Sequence, residues 1–132
     1  LHGIASELSL KLLETCYLFS RPFSTAEFMH GPLALIEEGT NVIMLAPDGE
    51  IAEEFIAMAT RLSILGANII SFTDIPQIKE ISNHYFEMPT HSSLENPFIY
   101  TVAAQMYAAK LAAVLGLNPD KPRNLQKITI TK

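Results

Sequence analysis

Apolar residues recur at Ile4, Leu8, Leu12 and Cys16, with Leu13 and Tyr17 beside them. This 3.6-residue period predicts an opening helix over 4–19. Ser20-Arg21-Pro22-Phe23-Ser24 breaks the period, and Ser24 or Thr25 can cap a short helical stretch that Gly31-Pro32 interrupts. Residues 24–38 therefore read as an irregular, partly helical connection. Asn41-Val42-Ile43-Met44-Leu45-Ala46 is a continuous apolar run between Gly39-Thr40 and Pro47-Asp48-Gly49, the pattern of a parallel strand covered on both faces. The helical period returns over 50–65 through Ile51, Phe55, Met58, Ala59 and Leu62, and Gly66 supplies the stop. A second strand is expected over 68–73, a short helix over 76–81, and a third strand over 85–88 ending at Pro89. A long alanine-rich helix follows over 97–115, closed by Gly116, and the tail 118–132 carries two prolines and a short β-branched end.

Alternating strands and helices predict an α/β fold, a three-layer sandwich in which a mostly parallel sheet is flanked by helices. Ligands bind such sheets beyond the carboxyl ends of the strands, here the loops after Ala46, Thr73 and Met88.

At 132 residues and 48% hydrophobic, the chain can bury one core of ordinary domain size. A net charge of −5 with nine Lys plus Arg leaves no basic stripe for a phosphate backbone, which argues against nucleic acid. The single cysteine, Cys16, cannot form an internal disulfide or a cysteine-based metal site, and its place on the apolar helix face reads as a packed thiol. No apolar run reaches the roughly 18 to 20 residues that span a bilayer, so a cytoplasmic protein with no membrane partner is expected. The chain opens in helical sequence without an initiator methionine or a signal-like segment, and reads as part of something larger. Met29, Met44, Met58 and Met106 are expected in the core, and His2, His84 and His91 read as structural or exposed.

Four stretches place polar groups where a core needs none: residues 7–14, residues 27–32, Glu95-Asn96-Pro97, and Pro122-Arg123-Asn124-Leu125-Gln126-Lys127. Glu7, Lys11 and Glu14, at i, i+4 and i+7, fall on one helix face. Alone, such a face is ordinarily a solvated ladder of ion pairs. His30 before Gly-Pro is ordinarily a turn residue, and Lys127 a surface lysine.

Together, Glu-x-x-x-Lys-x-x-Glu, His-Gly-Pro-Leu-Ala-Leu-Ile at 30–36, Ala46-Pro47 and Pro-Arg-Asn-Leu-Gln-Lys at 122–127 resemble the isomerase half of the glutamine:fructose-6-phosphate amidotransferase family. More narrowly, they resemble the second of its two sugar isomerase (SIS) domains, over nearly the whole chain. Glucosamine-6-phosphate deaminases built on the same flavodoxin-like SIS fold share these motifs, and Phe23-Ser24-Thr25-Ala26-Glu27 resembles those shorter relatives. The chain departs from the synthase pattern at Arg21, usually an acid, and at Phe23, often an aromatic hydroxyl.

The resemblance implies that residues 1–132 are a C-terminal SIS domain lacking its first strand, preceded by another SIS domain that holds the phosphate of a sugar phosphate. It implies interconversion of fructose 6-phosphate and glucosamine 6-phosphate, by amino transfer or deamination, without a metal or cofactor. Glu14 would move the proton between C1 and C2, and Lys11 would stabilise negative charge on the substrate oxygen. Glu7 would orient Lys11 or bind a sugar hydroxyl. His30 would open the sugar ring in the partner's site of a homodimer. Lys127 would form a Schiff base with the open-chain ketose, with Arg123 and Asn124 fixing the tail over the sugar. A sugar-phosphate-binding regulatory module without turnover is the competing expectation, and a dimerisation scaffold a third.

Overall fold

The computed structural model describes residues 1–124; Leu125 to Lys132, including Lys127, lie outside the described residues. Helix α1 spans His2–Lys11 and runs directly into a π-helical turn, Leu12–Cys16. A short helix α2 (Thr25–Met29) and a 3-10 turn (Pro32–Leu35) lead to strand β1 (Asn41–Ala46). Then come α3 (Ala52–Ile64), β2 (Asn68–Thr73), α4 (Pro76–Ile81), β3 (His84–Glu87) and α5 (Asn96–Val114). The strands form one parallel sheet in the order β1-β2-β3, with Asn41 opposite Asn68 and Ile70 opposite His84.

Each face of the sheet has its own apolar layer, as a doubly covered parallel sheet requires. On one side Met44, Ala46 and Ile69 pack with Met58, Ala59 and Leu62 of α3 and Ile78 of α4. On the other, Ile43 and Leu45 meet α1 and α5, and Phe72 packs with Tyr100 and Met88. The predicted three-layer α/β sandwich is thereby observed. Strand β3 is exposed at all four residues, so the edge of the sheet is less covered than the apolar run suggested.

Helix α3 ends where glycine allows it. Gly66 adopts φ 79°, its N–H bonds to Ser63 O, and the N–H of Ala67 bonds to Leu62 O, the paired closure of a Schellman motif. A side chain at Gly66 would also press against Glu38, 3.2 Å from its Cγ.

The α1–α5 contact positions the candidate site. Leu8, Leu12 and Cys16 interlock with Ala104, Ala108 and Ala112, all buried, and the alanines let the two helices approach closely. Burying each leucine contributes about 2 to 3 kcal/mol. The Cys16 thiol points at Ala108 O, 3.5 Å away, as the packed-thiol reading requires. Met44 and Met58 are buried, but Met29 and Met106 are about half exposed, at 50% and 54%. Met29 lies on α2 and Met106 on α5, and in both cases the side chain falls on the outward face. On α5, exposed Phe98 and Val102 join Met106 in an outward apolar stripe.

Candidate active site

The opening helix does not run to Phe19. The Thr15 hydroxyl donates to Lys11 O at 2.7 Å, engaging the carbonyl that an α-helix would give to the Thr15 N–H. The helix widens into the π turn, and Tyr17 ends it in the left-handed region at φ 58°. Such π turns recur at functional positions. This one carries Glu14.

Glu7, Lys11 and Glu14 do share a face. The Lys11 ammonium donates to Glu14 Oε2 at 2.9 Å and lies 3.8 Å from Glu7 Oε1. All three side chains are about one third exposed, at 34%, 35% and 32% for Lys11, Glu7 and Glu14, so a small molecule can reach them while their packing holds them in place. The hydrogen bond to Glu14 holds the Lys11 pKa above the ordinary lysine value, against partial desolvation and with added attraction from both carboxylates. Near neutral pH this lysine is an ammonium, equipped to stabilise an oxyanion rather than to accept a proton. Glu14 is the group beside it that can accept one.

Beyond Tyr17 the chain turns back along α1. Ser9 and Ser20 are hydrogen-bonded, the Ser9 hydroxyl reaching Ser20 O at 2.8 Å. His2 lies 4.0 Å from Glu27 Oε2. Ser24 caps α2 in a capping box with Glu27, settling the choice between Ser24 and Thr25. His30 is the exposed C-cap of that helix, its N–H on Glu27 O. It therefore sits toward the start of α1, away from the end that carries Glu14. Among the described residues no hydrogen bond or ion pair joins His30 to Glu7, Lys11 or Glu14.

The tail comes to the Glu14 end instead. The Arg123 N–H donates to the Tyr17 hydroxyl at 2.8 Å, and the guanidinium carbon lies 4.4 Å from the centre of the Tyr17 ring. Asn124 follows in a left-handed conformation, φ 59°. Tyr17 had no distinguishing signal in the sequence beyond its place before the helix break.

Glu95-Asn96-Pro97, singled out for its polarity, turns out to build a helix start. Ser92 donates through its hydroxyl and N–H to Glu95 Oε2, Asn96 opens α5 and is buried, and Pro97 occupies the first turn. The strand-end loops are tied to one another: Thr73 Oγ1 donates to Ala46 O at 2.7 Å, and the Asp48 N–H donates to Asp74 Oδ1 at 2.8 Å. Among the described residues, no three His, Cys, Asp or Glu side chains converge as metal ligands, and no helix is long and apolar enough to cross a membrane.

The chain is a parallel α/β sheet whose covering helix presents a carboxylate–ammonium–carboxylate row. Residues 1–115 match the model of the SIS domain, and the chain belongs to that family. It is 37% identical over 123 residues to glutamine--fructose-6-phosphate aminotransferase [isomerizing] of Thermococcus kodakarensis, covering 93% of this chain and 20% of that protein. Among solved structures it resembles a glucosamine-6-phosphate deaminase from Thermotoga maritima at 31% identity and TM-score 0.70, covering 96% of this chain and 36% of that one. The C-terminal domain of glucosamine-fructose-6-phosphate aminotransferase from Francisella tularensis shares the fold at TM-score 0.79 and 24% identity, over 91% of this chain and 34% of that one. The chain thus spans about a fifth of the length of the aminotransferase it matches.

Proposed function

We propose that this chain is the C-terminal SIS domain of a phosphosugar isomerase that interconverts fructose 6-phosphate and glucosamine 6-phosphate, with ammonia as the nitrogen partner. The carrying observation is Lys11 held between Glu7 and Glu14 on an accessible face of an SIS domain. In the amination direction, the Lys127 amine adds to the ketose C2 carbonyl, whose oxygen leaves as water, and ammonia then displaces the lysine from the resulting iminium, leaving a C2 imine and free Lys127. Glu14 removes a proton from C1, giving an enolamine, and returns it to C2 to leave the aldehyde at C1. One carboxylate serves both carbons because they are adjacent. Lys11 offsets the negative charge that develops on the substrate oxygen, and Glu7 orients Lys11 or takes a sugar hydroxyl.

The return of the chain along α1 supports a dimer in which His30 protonates the ring oxygen in the partner's site, because its own Glu14 lies at the other end of α1. A preceding SIS domain supplies the phosphate loop. The exposed Phe98, Val102 and Met106 stripe supports burial of this domain in a larger assembly.

Borohydride reduction of the full-length protein with fructose 6-phosphate tests the reading. A covalent adduct on Lys127 is expected. Stoichiometric binding without trapping or turnover would establish a regulatory sugar-phosphate module instead.

A further inference from the structure

Helix α5 is apolar on every side. Tyr100, Ala104, Ala108 and Ala112 are buried against the sheet and α1, yet Phe98, Val102 and Met106, at i, i+4 and i+8, are each more than half exposed on the outward face. Lys110 is the single charged residue within the helix, and Glu95 precedes it as the N-cap. A helix that is hydrophobic all round is ordinarily buried all round, so the outward face calls for a partner.

The order of residues along that face is self-complementary. Phe98 and Met106 lie four positions before and after Val102, and Glu95 and Lys110, of opposite charge, lie seven before and eight after it. At 1.5 Å per residue, Glu95 and Lys110 stand about 10 and 12 Å from Val102 along the helix, on either side. A two-fold axis through Val102, perpendicular to α5, therefore lays each strip antiparallel on its own copy. Val102 meets Val102, the Phe98 ring meets the partner's Met106 thioether, and Glu95 falls opposite the partner's Lys110 at both ends. Ser92 and His91 reach Glu95 at Oε2, and Oε1 accepts no hydrogen bond among the described residues. A parallel pairing would set like charges together, and a different domain would impose no such symmetry on the strip.

We propose that the outward face of α5 is an isologous interface that seats a second copy of this chain, antiparallel, about a two-fold axis at Val102. This pairing rests on the larger assembly proposed above, gives it a surface and a register, and is independent of the sugar chemistry.

Val102→Cys, Phe98→Cys and Val102→Glu in the full-length protein test the assignment, by cross-linking under a mild oxidant with peptide mapping and by sedimentation equilibrium. Both positions are exposed in the domain, so its own core is untouched. Val102→Cys is expected to link chain to chain through residue 102, because a residue on the axis meets itself within the Cα separation of about 4.4 to 6.8 Å that a disulfide spans. Phe98→Cys alone is expected to stay unlinked, its two copies standing about 12 Å apart along the helices. Val102→Glu sets two carboxylates on the axis and is expected to raise the dimer dissociation constant about 100-fold. Absence of the 102–102 link, or a dissociation constant in Val102→Glu within about threefold of wild type, overturns the interface. Lower thermal stability in Val102→Glu with the dimer unchanged places another domain of the same chain on this face, and overturns it equally. Isomerase turnover is read on the same samples. Turnover without the 102–102 link removes this interface and leaves the sugar chemistry standing; the link without turnover in wild type does the reverse.

Discussion

Lys11 donates to Glu14 across 2.9 Å at the point where α1 becomes a π turn, and the contact ties a charge stabiliser to a proton acceptor. Because both side chains are about one third exposed, the pair contributes little to stability, about 0.5 kcal/mol of coupling in a double-mutant cycle of Lys11→Met with Glu14→Gln. The Lys11 pKa is raised above 10.5 in the folded state, so its stabilising contribution is fully present below pH 10.5 and is lost as pH rises through the folded value. Thermal melts of wild type and Lys11→Met should therefore keep a constant separation from pH 6 to 9 and converge above about pH 10.5. Isomerisation should fall far more than stability, by about 10² to 10³ in kcat.

The close approach of α1 and α5 predicts a packing variant that reaches the site without touching it. Ala108 is 2% exposed and packs in the layer with Leu8, Leu12 and Cys16. Ala108→Leu inserts atoms where there is no room, and should cost about 1 to 3 kcal/mol in chemical denaturation. It should also lower kcat, because the π turn that it displaces carries Glu14.

His30 and Glu14 lie toward opposite ends of α1, which gives the proposed dimer a complementation signature. A heterodimer of Glu14→Gln and His30→Asn protomers contains one intact site if His30 crosses to its partner, and none if it acts within its own protomer. Equal mixtures reassembled from the two inactive variants should recover about one quarter of wild-type activity. Recovery of none would place both groups in one protomer.

The sheet and its helices were legible in the sequence because each rests on local periodicity, and the type of every strand was read from its own apolar run. The Glu7–Lys11–Glu14 face was legible for the same reason: helical spacing alone brings those side chains together. The end of α1 was not, because the α-helix gives way at Leu12 to a π turn that ends at Cys16, three residues before the expected stop, and helical spacing does not distinguish the two. Tyr17 and Arg123 meet across 106 residues, and no spacing rule connects them. The polarity of Glu95-Asn96-Pro97 suggested chemistry, whereas its work is to start α5, since capping and catalysis draw on the same residue types.

Glu14→Gln in the full-length protein tests the proposed chemistry most directly, because the amide keeps an acceptor oxygen for the Lys11 ammonium but cannot take a proton from carbon. The measurement is incorporation of solvent deuterium at C1 and C2 of the hexose phosphate, followed alongside product formation. Wild type should show both, and the variant should lose at least about 10³-fold in each while still binding the sugar phosphate. Turnover within about tenfold of wild type would contradict the assignment of Glu14 as the base that moves the proton.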